Sequence, residues 1–537
     1  MPATLQQATI LIIDDFQGMR TMLREFVRSM GVTKIDTASH GKEALTQLSN
    51  VKYDIVICDF NLGAGQNGQQ VLEEAKLHNY IGVSTVWVMV TAEKTHEMVM
   101  GAAEIKPDDY LLKPINQALL ENRLVKQIAR KQSLGPIEEA IRSQDYAAAI
   151  VRCDEQIKAK VLNPQEILRI KSDLLLTMED FDGACALFQA VLAIRSVPWA
   201  KTGMGKVRFH AQDYAGARDL FQQVLHEHPM YIEAADWLAR TYAALGDATQ
   251  AQQILSEAVK VSPNSPTRQK LLADTAYRNG ALAVAQTAFE KIIRINEFSP
   301  HKSPTAYTEL ARVLSDQASP LEALKVLERS KKDFKYNAHA AIQTAAAEST
   351  VYQKMGQDDR AQAAMARAES LMAGLPSKVS AEVAVDVAKS LFALGMKDKA
   401  CALLGEVIQN NHENTELSRQ VENIFERQQL GQEGQALIAR SRQEVVAINN
   451  QGVTLAKTGD FLGGVNLLRA AAQKLPNNEV ILVNLCSLLI GLMSRESKKD
   501  LLASEVRGLL ERVHQLNPAN RKSQQLADTL TRVLGRK

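Results

Sequence analysis

Ile10-Leu11-Ile12-Ile13-Asp14-Asp15 is the stretch on which the reading of this chain turns. Four apolar residues without polar alternation describe a strand covered on both faces, and two carboxylates end it. The same pattern recurs downstream: Ile55–Cys58 runs into Asp59, Val86–Val90 into Thr91, and Tyr110–Leu112 into Lys113. In an open parallel sheet, the strand ends nearest the topological switch point form the ligand crevice. Three carboxylates, a hydroxyl and an ammonium are therefore expected to converge in one shallow acidic pocket.

Working outward, strand-like runs lie at Thr9–Ile13, Lys34–Ala38, Tyr53–Cys58, Val86–Val90 and Tyr110–Leu112. Helical patterns fill the intervals at Met19–Met30, Lys42–Leu48, Gln69–His78, Glu97–Ala103 and Ile115–Arg130. Strict alternation of this kind predicts an α/β domain over residues 1–130, with five parallel strands, right-handed crossovers and helices on both faces.

The residue types at the strand ends belong together chemically. Clustered carboxylates repel and need cations or protons. Mg²⁺ prefers hard oxygen ligands and keeps several waters, so a partial carboxylate cage suits it. A metal held there neutralises charge during phosphoryl transfer. Lys113 supplies a second, compact cation, Thr91 a hydroxyl for a phosphoryl oxygen, and Asp59 a carboxylate able to become an acyl phosphate.

On the Asp14-Asp15 pair, Asp59, Thr91-Ala92, Tyr110 and Lys113-Pro114, residues 8–130 resemble the receiver domain of bacterial two-component response regulators. The resemblance implies a flavodoxin-like doubly wound fold and a cis bond before Pro114. It implies that Asp59 accepts phosphate from a histidine kinase or phosphotransfer protein. Asp15 and Asp59 would ligate Mg²⁺ directly, Asp14 largely through water, and Asn61 through its backbone carbonyl. Thr91 and Tyr110 would be switch residues, and Asn61 and Glu93 would tune the lifetime of the phosphoryl group. That pairing is similar to chemotaxis-type receivers, which lose phosphate quickly, so a short-lived phosphoryl state is expected. One stretch departs from the family. Asn61-Leu62-Gly63-Ala64-Gly65-Gln66-Asn67-Gly68 lacks the usual proline and carries extra glycine, which predicts an unusually mobile loop.

Composition excludes several classes. A formal net charge of +2 among 537 residues offers no basic face for nucleic acid. No Walker loop, zinc-spaced Cys/His set or zincin helix is present. Cys58, Cys153, Cys185, Cys401 and Cys486 form no Cys-x-x-Cys and read as reduced thiols. The first apolar run is too short for a signal peptide. Val480–Met493 contains Asn484 and falls short of the ~20 residues a membrane helix needs, so it reads as a buried repeat helix. A cytoplasmic protein without membrane insertion is expected.

From Leu134 onward the strand signal vanishes and a repeat takes over. A turn is followed by a small residue at Asp145…Ala149, Asp180…Ala184, Asp213…Ala217, Asp247…Ala251, Gly280…Ala285 and Ser319…Ala323. It continues at Gly356…Ala361, Gly395…Ala400, Gly431…Ala436 and Gly459…Gly464, and Pro164, Pro229, Pro263, Pro476 and Pro518 close units. Helix–turn–helix units are implied, with small residues where helices touch. Residues 137–537 resemble the tetratricopeptide repeat (TPR) family, an all-α solenoid of about ten degenerate units. Residues 131–136 read as a short linker, with Pro136 starting the next helix. Trp199 and Trp237 read as packing residues, and His226 and His228 as no metal site. Asn450 and Asn484, 34 residues apart, read as candidates to clamp a peptide backbone in the repeat groove.

The reading that follows is a response regulator, not an enzyme beyond gaining and losing its own phosphate, whose tail makes phosphorylation-dependent contacts with a protein or peptide client. Two alternatives stay open: a phosphate sink or modulator of a sensor kinase, and a static scaffold. Homodimerisation through the receiver is left open too.

Overall fold

The computed structural model describes residues 4–82, 84–92, 107–159, 164–375, 378–493, 499–517 and 520–535. Glu93, the expected helix Glu97–Ala103 and Pro518 lie outside them. Two compact units divide the chain, Met1–Ala306 and Tyr307–Lys537.

The first unit begins with β1 (Thr9–Ile13), α1 (Gln17–Ser29), β2 (Lys34–Ala38), α2 (Gly41–Asn50), β3 (Ile55–Asp59) and α3 (Gly68–Leu77). It continues with β4 (Val86–Thr91), β5 (Asp109–Leu112) and α4 (Gln117–Arg142). The five strands form one sheet in the order β2-β1-β3-β4-β5, and all pairings are parallel. Every residue of β3 and β4 is buried, whereas edge strands β2 and β5 alternate or surface. This is why the central strands carry unbroken apolar runs. Period-two alternation splits their side chains between two cores. Ile10, Ile12, Ile55 and Ile57 meet Leu23, Val27, Leu120 and Leu124 on one face. Leu11, Ile13, Val56 and Cys58 meet Ala44, Leu48, Val71 and Leu72 on the other.

The expected linker at 131–136 is not there. α4 is one helix of 26 residues, and Pro136 lies inside it. An interior proline costs about 3 kcal/mol through its missing N–H and its ring clash. The buried stripe along α4 explains why the helix continues. Leu120, Leu124 and Ile128 pack on the sheet, while Leu134 and Ile137 join Ala149, Cys153 and Ile167 of the first repeats. Each buried aliphatic side chain contributes about 1.5–3 kcal/mol, so Leu134 and Ile137 together outweigh the proline. The last helix of the α/β domain is also the first helix of the repeats. An ion-pair cluster reinforces the joint: Arg130 donates to Glu166 at 2.7 Å and to Asp108 at 3.1 Å, and Lys131 sits 3.0 Å from Asp108.

Further helices, from Tyr146–Lys158 to Leu282–Ile295, complete this unit. Their turns share one device. At alternate turns the residue before the helix cap has positive φ, here Gln144, Glu179, Gln212, Gly246 and Gly280, and in the second unit Ala318, Gly356, Gly395, Gln429 and Gly459. The following N–H reaches back to a carbonyl five residues earlier, as in Asp145 to Ala140 and Asp213 to Arg208, both 2.9 Å. This is the Schellman arrangement, which satisfies carbonyls orphaned at a helix end. Asp145, Asp180, Asp213, Asp247 and Asp460 then accept from the N–H three residues on, capping the next helix. Four residues after each cap a small side chain is fully buried, among them Ala149, Ala217, Ala285 and Ala400. The turn at 431 corrects one expectation. Gln429 takes the left-handed position, Leu430 precedes the helix, and Gly434 packs against Phe425, while Ala436 is exposed. Trp199 and Trp237 are packing residues: Trp199 meets Phe188 edge-on, and Trp237 meets Phe209 edge-on and stacks on Phe221, with Arg240 over its face.

The second unit runs from within the helix Thr305–Asp316 to Arg521–Gly535. Its Gly431–Lys457 helix fuses the second helix of one repeat with the first of the next. Glu479–Met493 is a buried core helix, and no helix among the described residues is long and apolar enough to cross a membrane. A buried polar network links three first-of-pair helices. Asp386 accepts from Gln343 at 2.8 Å, Thr308 at 3.2 Å and Arg312 at 3.3 Å. Arg312 also donates to Glu309 at 2.8 Å, and Lys389 closes on Glu309 from the other side.

Candidate functional site

The acidic pocket forms at the carboxyl ends of β1 and β3, which are neighbours in the sheet. Strand order reverses between them, so no crossover helix covers their ends. One carboxylate oxygen from each of Asp14, Asp15 and Asp59 lies within 4.8 Å of the others, and this is the only such metal-capable group among the described residues. Asp14 and Asp59 are buried and Asp15 is exposed, so the pocket has a closed floor and an open rim.

Lys113 completes it. The Lys113–Pro114 bond is cis, and Lys113 Nζ stands 3.0 Å from Asp14 Oδ2 and 3.1 Å from Asp59 Oδ2. Burial raises the Asp59 carboxyl above its ordinary range, and the ammonium of Lys113 offsets part of that rise. Burial alone would lower Lys113, but its bonds to Asp14 and Asp59 prevail and raise it. The lysine thus stays protonated and balances one of the carboxylates.

The remaining expected residues take the following places. Thr91 is buried at the end of β4, and its carbonyl accepts the Lys113 N–H at 2.8 Å. Tyr110 is half-buried on β5, where burial pushes its phenol up to about 12. Asn61 is exposed in the loop after β3, its side chain accepting from the Gly63 N–H at 3.2 Å. That loop passes beside the pocket's rim: a Cβ at Gly63 would sit 3.3 Å from Asp15 Oδ2. Asn450 and Asn484 are not brought together. Asn484 donates to Asn449 at 2.8 Å and accepts from Lys522, while Asn450 points to solvent one residue further round its helix.

Two residues of the pocket were not singled out from the sequence. Arg20 donates to the carbonyls of Asp14 at 2.6 Å and Asp15 at 3.0 Å, fixing the backbone of the pair. Its signal was a cation in the first turns of a helix, where the dipole disfavours positive charge. Gly68 lets α3 start directly against β3: a Cβ there would fall 2.1 Å from the Asp59 carbonyl oxygen. The sequence marked Gly68 as a loop residue only.

The oxygen donors fit Mg²⁺, a hard cation content with a few carboxylates and water. Asp14, Asp15 and Asp59 are the residues that would hold it.

Known proteins align with both regions. The response regulator receiver domain model matches residues 10–125, and the tetratricopeptide repeat model matches residues 208–275. Over 121 residues the chain is 31% identical to chemotaxis protein CheY-3 of Vibrio cholerae, covering 22% of this chain and 92% of that protein. It is 30% identical to chemotaxis protein CheY of Pseudomonas aeruginosa, covering 22% of this chain and 96% of that protein. A solved tetratricopeptide repeat protein from Parabacteroides merdae aligns with 51% of this chain and 98% of its own, at 12% identity and a TM-score of 0.30. A receiver domain indicates response-regulator signalling, and tetratricopeptide repeats suggest protein interaction. By its receiver domain the chain belongs to the response regulators, and tetratricopeptide repeats follow that domain.

Proposed function

We propose that this response regulator accepts a phosphoryl group on Asp59 and that its repeats bind a protein or peptide client according to that state. The observation carrying the proposal is the closure of Asp14, Asp15, Asp59 and Lys113 into one pocket.

Asp59 Oδ attacks the phosphorus of a phosphohistidine donor, the P–N bond breaks and the imidazole leaves with its electron pair. Bound Mg²⁺ would neutralise charge on the phosphoryl oxygens and the carboxylates. Lys113, already between Asp14 and Asp59, pairs with a phosphoryl oxygen, and Thr91 donates its hydroxyl to another. Tyr110, half-buried on β5, packs inward as Thr91 moves. Water then cleaves the acyl phosphate and returns Asp59. Asn61 and Glu93 set how fast this occurs, and the phosphoryl state is short-lived. For the client, Asn450 and Asn484 are the residues proposed to clamp a peptide backbone, the Asn484 amide first leaving Asn449 and Lys522.

Incubation with acetyl phosphate and Mg²⁺ should add the mass of one phosphoryl group to wild type. Asp59→Asn should add none, and chelation of the metal should abolish labelling of wild type. An unlabelled wild type, or equal labelling of Asp59→Asn, overturns the reading.

A further inference from the structure

The loop after Asp59 is held at its far end by the repeats of its own unit. Gln66 Nε2 donates to the Phe298 carbonyl at 3.2 Å, and Gln70 Nε2 donates to the Ile295 carbonyl at 3.0 Å, across 232 and 225 residues of chain. Ser299 Oγ adds a longer bond, 3.4 Å, to Glu73. Ile295 ends the helix Leu282–Ile295, and carbonyls in the last turn of a helix lack intrahelical donors. Gln70 supplies one to Ile295, and Gln66 reaches the Phe298 carbonyl in the turn that follows. The chain therefore leaves the receiver through α4 and comes back to it here, closing the first unit on itself. Phe298 lines a cleft of about 570 Å³ together with His40, Lys42, Gln66, Glu74 and Tyr80.

This second contact is in mechanical series with the acidic pocket. The segment 61–68 starts two residues after Asp59, passes Asp15 at Gly63, where a Cβ would sit 3.3 Å from Asp15 Oδ2, and ends where the Gly68 N–H donates to the Phe60 carbonyl at 2.8 Å. Between these points Gly63 and Gly65 both have positive φ. Such residues are free to change backbone angles when the loop moves. Gln66 lies three residues beyond Gly63 on the same loop, and its side chain reaches Phe298.

We propose that the contact of Gln66 and Gln70 with Ile295–Ser299 is a latch closing the early repeats onto the receiver, and that its closure depends on what occupies the acidic pocket. The proposal rests on the phosphoacceptor reading above. Linkage makes the effect reciprocal: the factor by which a pocket ligand alters the latch is the factor by which the latch alters that ligand's affinity.

The test is hydrogen exchange on the full chain, with and without Mg²⁺ and beryllofluoride. It compares wild type with Gln66→Ala combined with Gln70→Glu. Glutamate at 70 keeps the acceptor for the Asn67 N–H that caps α3, and loses the donor to Ile295. The double variant should exchange severalfold faster at 295–300, with the remaining repeats unchanged. In wild type, beryllofluoride should alter exchange at both 61–68 and 295–300; in the variant, at 61–68 only. Equal exchange at 295–300 in the two proteins overturns the latch. A wild-type response at 61–68 without one at 295–300 overturns the coupling. No response at 61–68 in either protein overturns the phosphoacceptor reading and the coupling with it, and the comparison without beryllofluoride still decides the latch. Should the double variant fail to fold, Gln66→Ala alone, at a half-buried loop position, decides it by the same comparison.

Discussion

Gly68 shows how a single absent atom positions the site. The carbonyl oxygen of Asp59 occupies the space a Cβ would need, at 2.1 Å, and a backbone oxygen between β3 and α3 has nowhere to go. Gly68→Ala should cost about 1–3 kcal/mol, as overpacking does, and should also slow labelling of Asp59 by acetyl phosphate. Denaturant unfolding and mass spectrometry read the two effects separately. The left-handed turn positions have the opposite prospect. Gln212 holds φ of 61° on the exposed surface, a conformation that strains an L side chain. Gln212→Gly should stabilise the protein by about 1 kcal/mol, seen as a higher urea midpoint. The sequence announced this position where glycine fills it, as at Gly280 and Gly356. It was silent where glutamine or alanine does, and so the turn at 431 was read out of register.

Among elements, the strands were legible because burial on both faces leaves an unbroken apolar run, and β1, β3 and β4 display one. α4 was not. Pro136 and Gly135 looked like punctuation, yet the apolar stripe from Leu120 to Ile137 carries the helix through them. Pro136 is exposed, so Pro136→Ala should remove the backbone cost without loss of packing. A gain of about 1–3 kcal/mol is expected, measured as a shift in the unfolding midpoint of the full chain. No change in stability would mean that the helix has adjusted around the ring.

Across the whole molecule, what escaped the sequence is what joins distant segments. Gln66 with Phe298 and Thr308 with Asp386 are pairings that no local pattern announces. The second of these belongs to a network with a pH signature. Burial raises the Glu309 carboxyl, but Lys389 and Arg312 outweigh it and hold the group well below its usual 4.5. A depressed folded-state pKa gives stability that is fully present above the unfolded value, near 4.3, and lost as pH falls through the folded value. Glu309→Gln should therefore cost about 3–5 kcal/mol at pH 7, by leaving Arg312 and Lys389 under-paired. The two proteins should converge as pH drops below 4, a comparison that urea midpoints across pH will check.

The shared helix α4 has a practical corollary for anyone who would treat the two regions as interchangeable cassettes. A cut at residue 130 or 134 saws through a rod whose halves serve different masters. The severed receiver would keep Leu120, Leu124 and Ile128, whereas the severed repeats would begin on a frayed stump around Leu134 and Ile137. Transplanting this receiver onto another output module calls for grafting through Arg142, so that the rod travels whole.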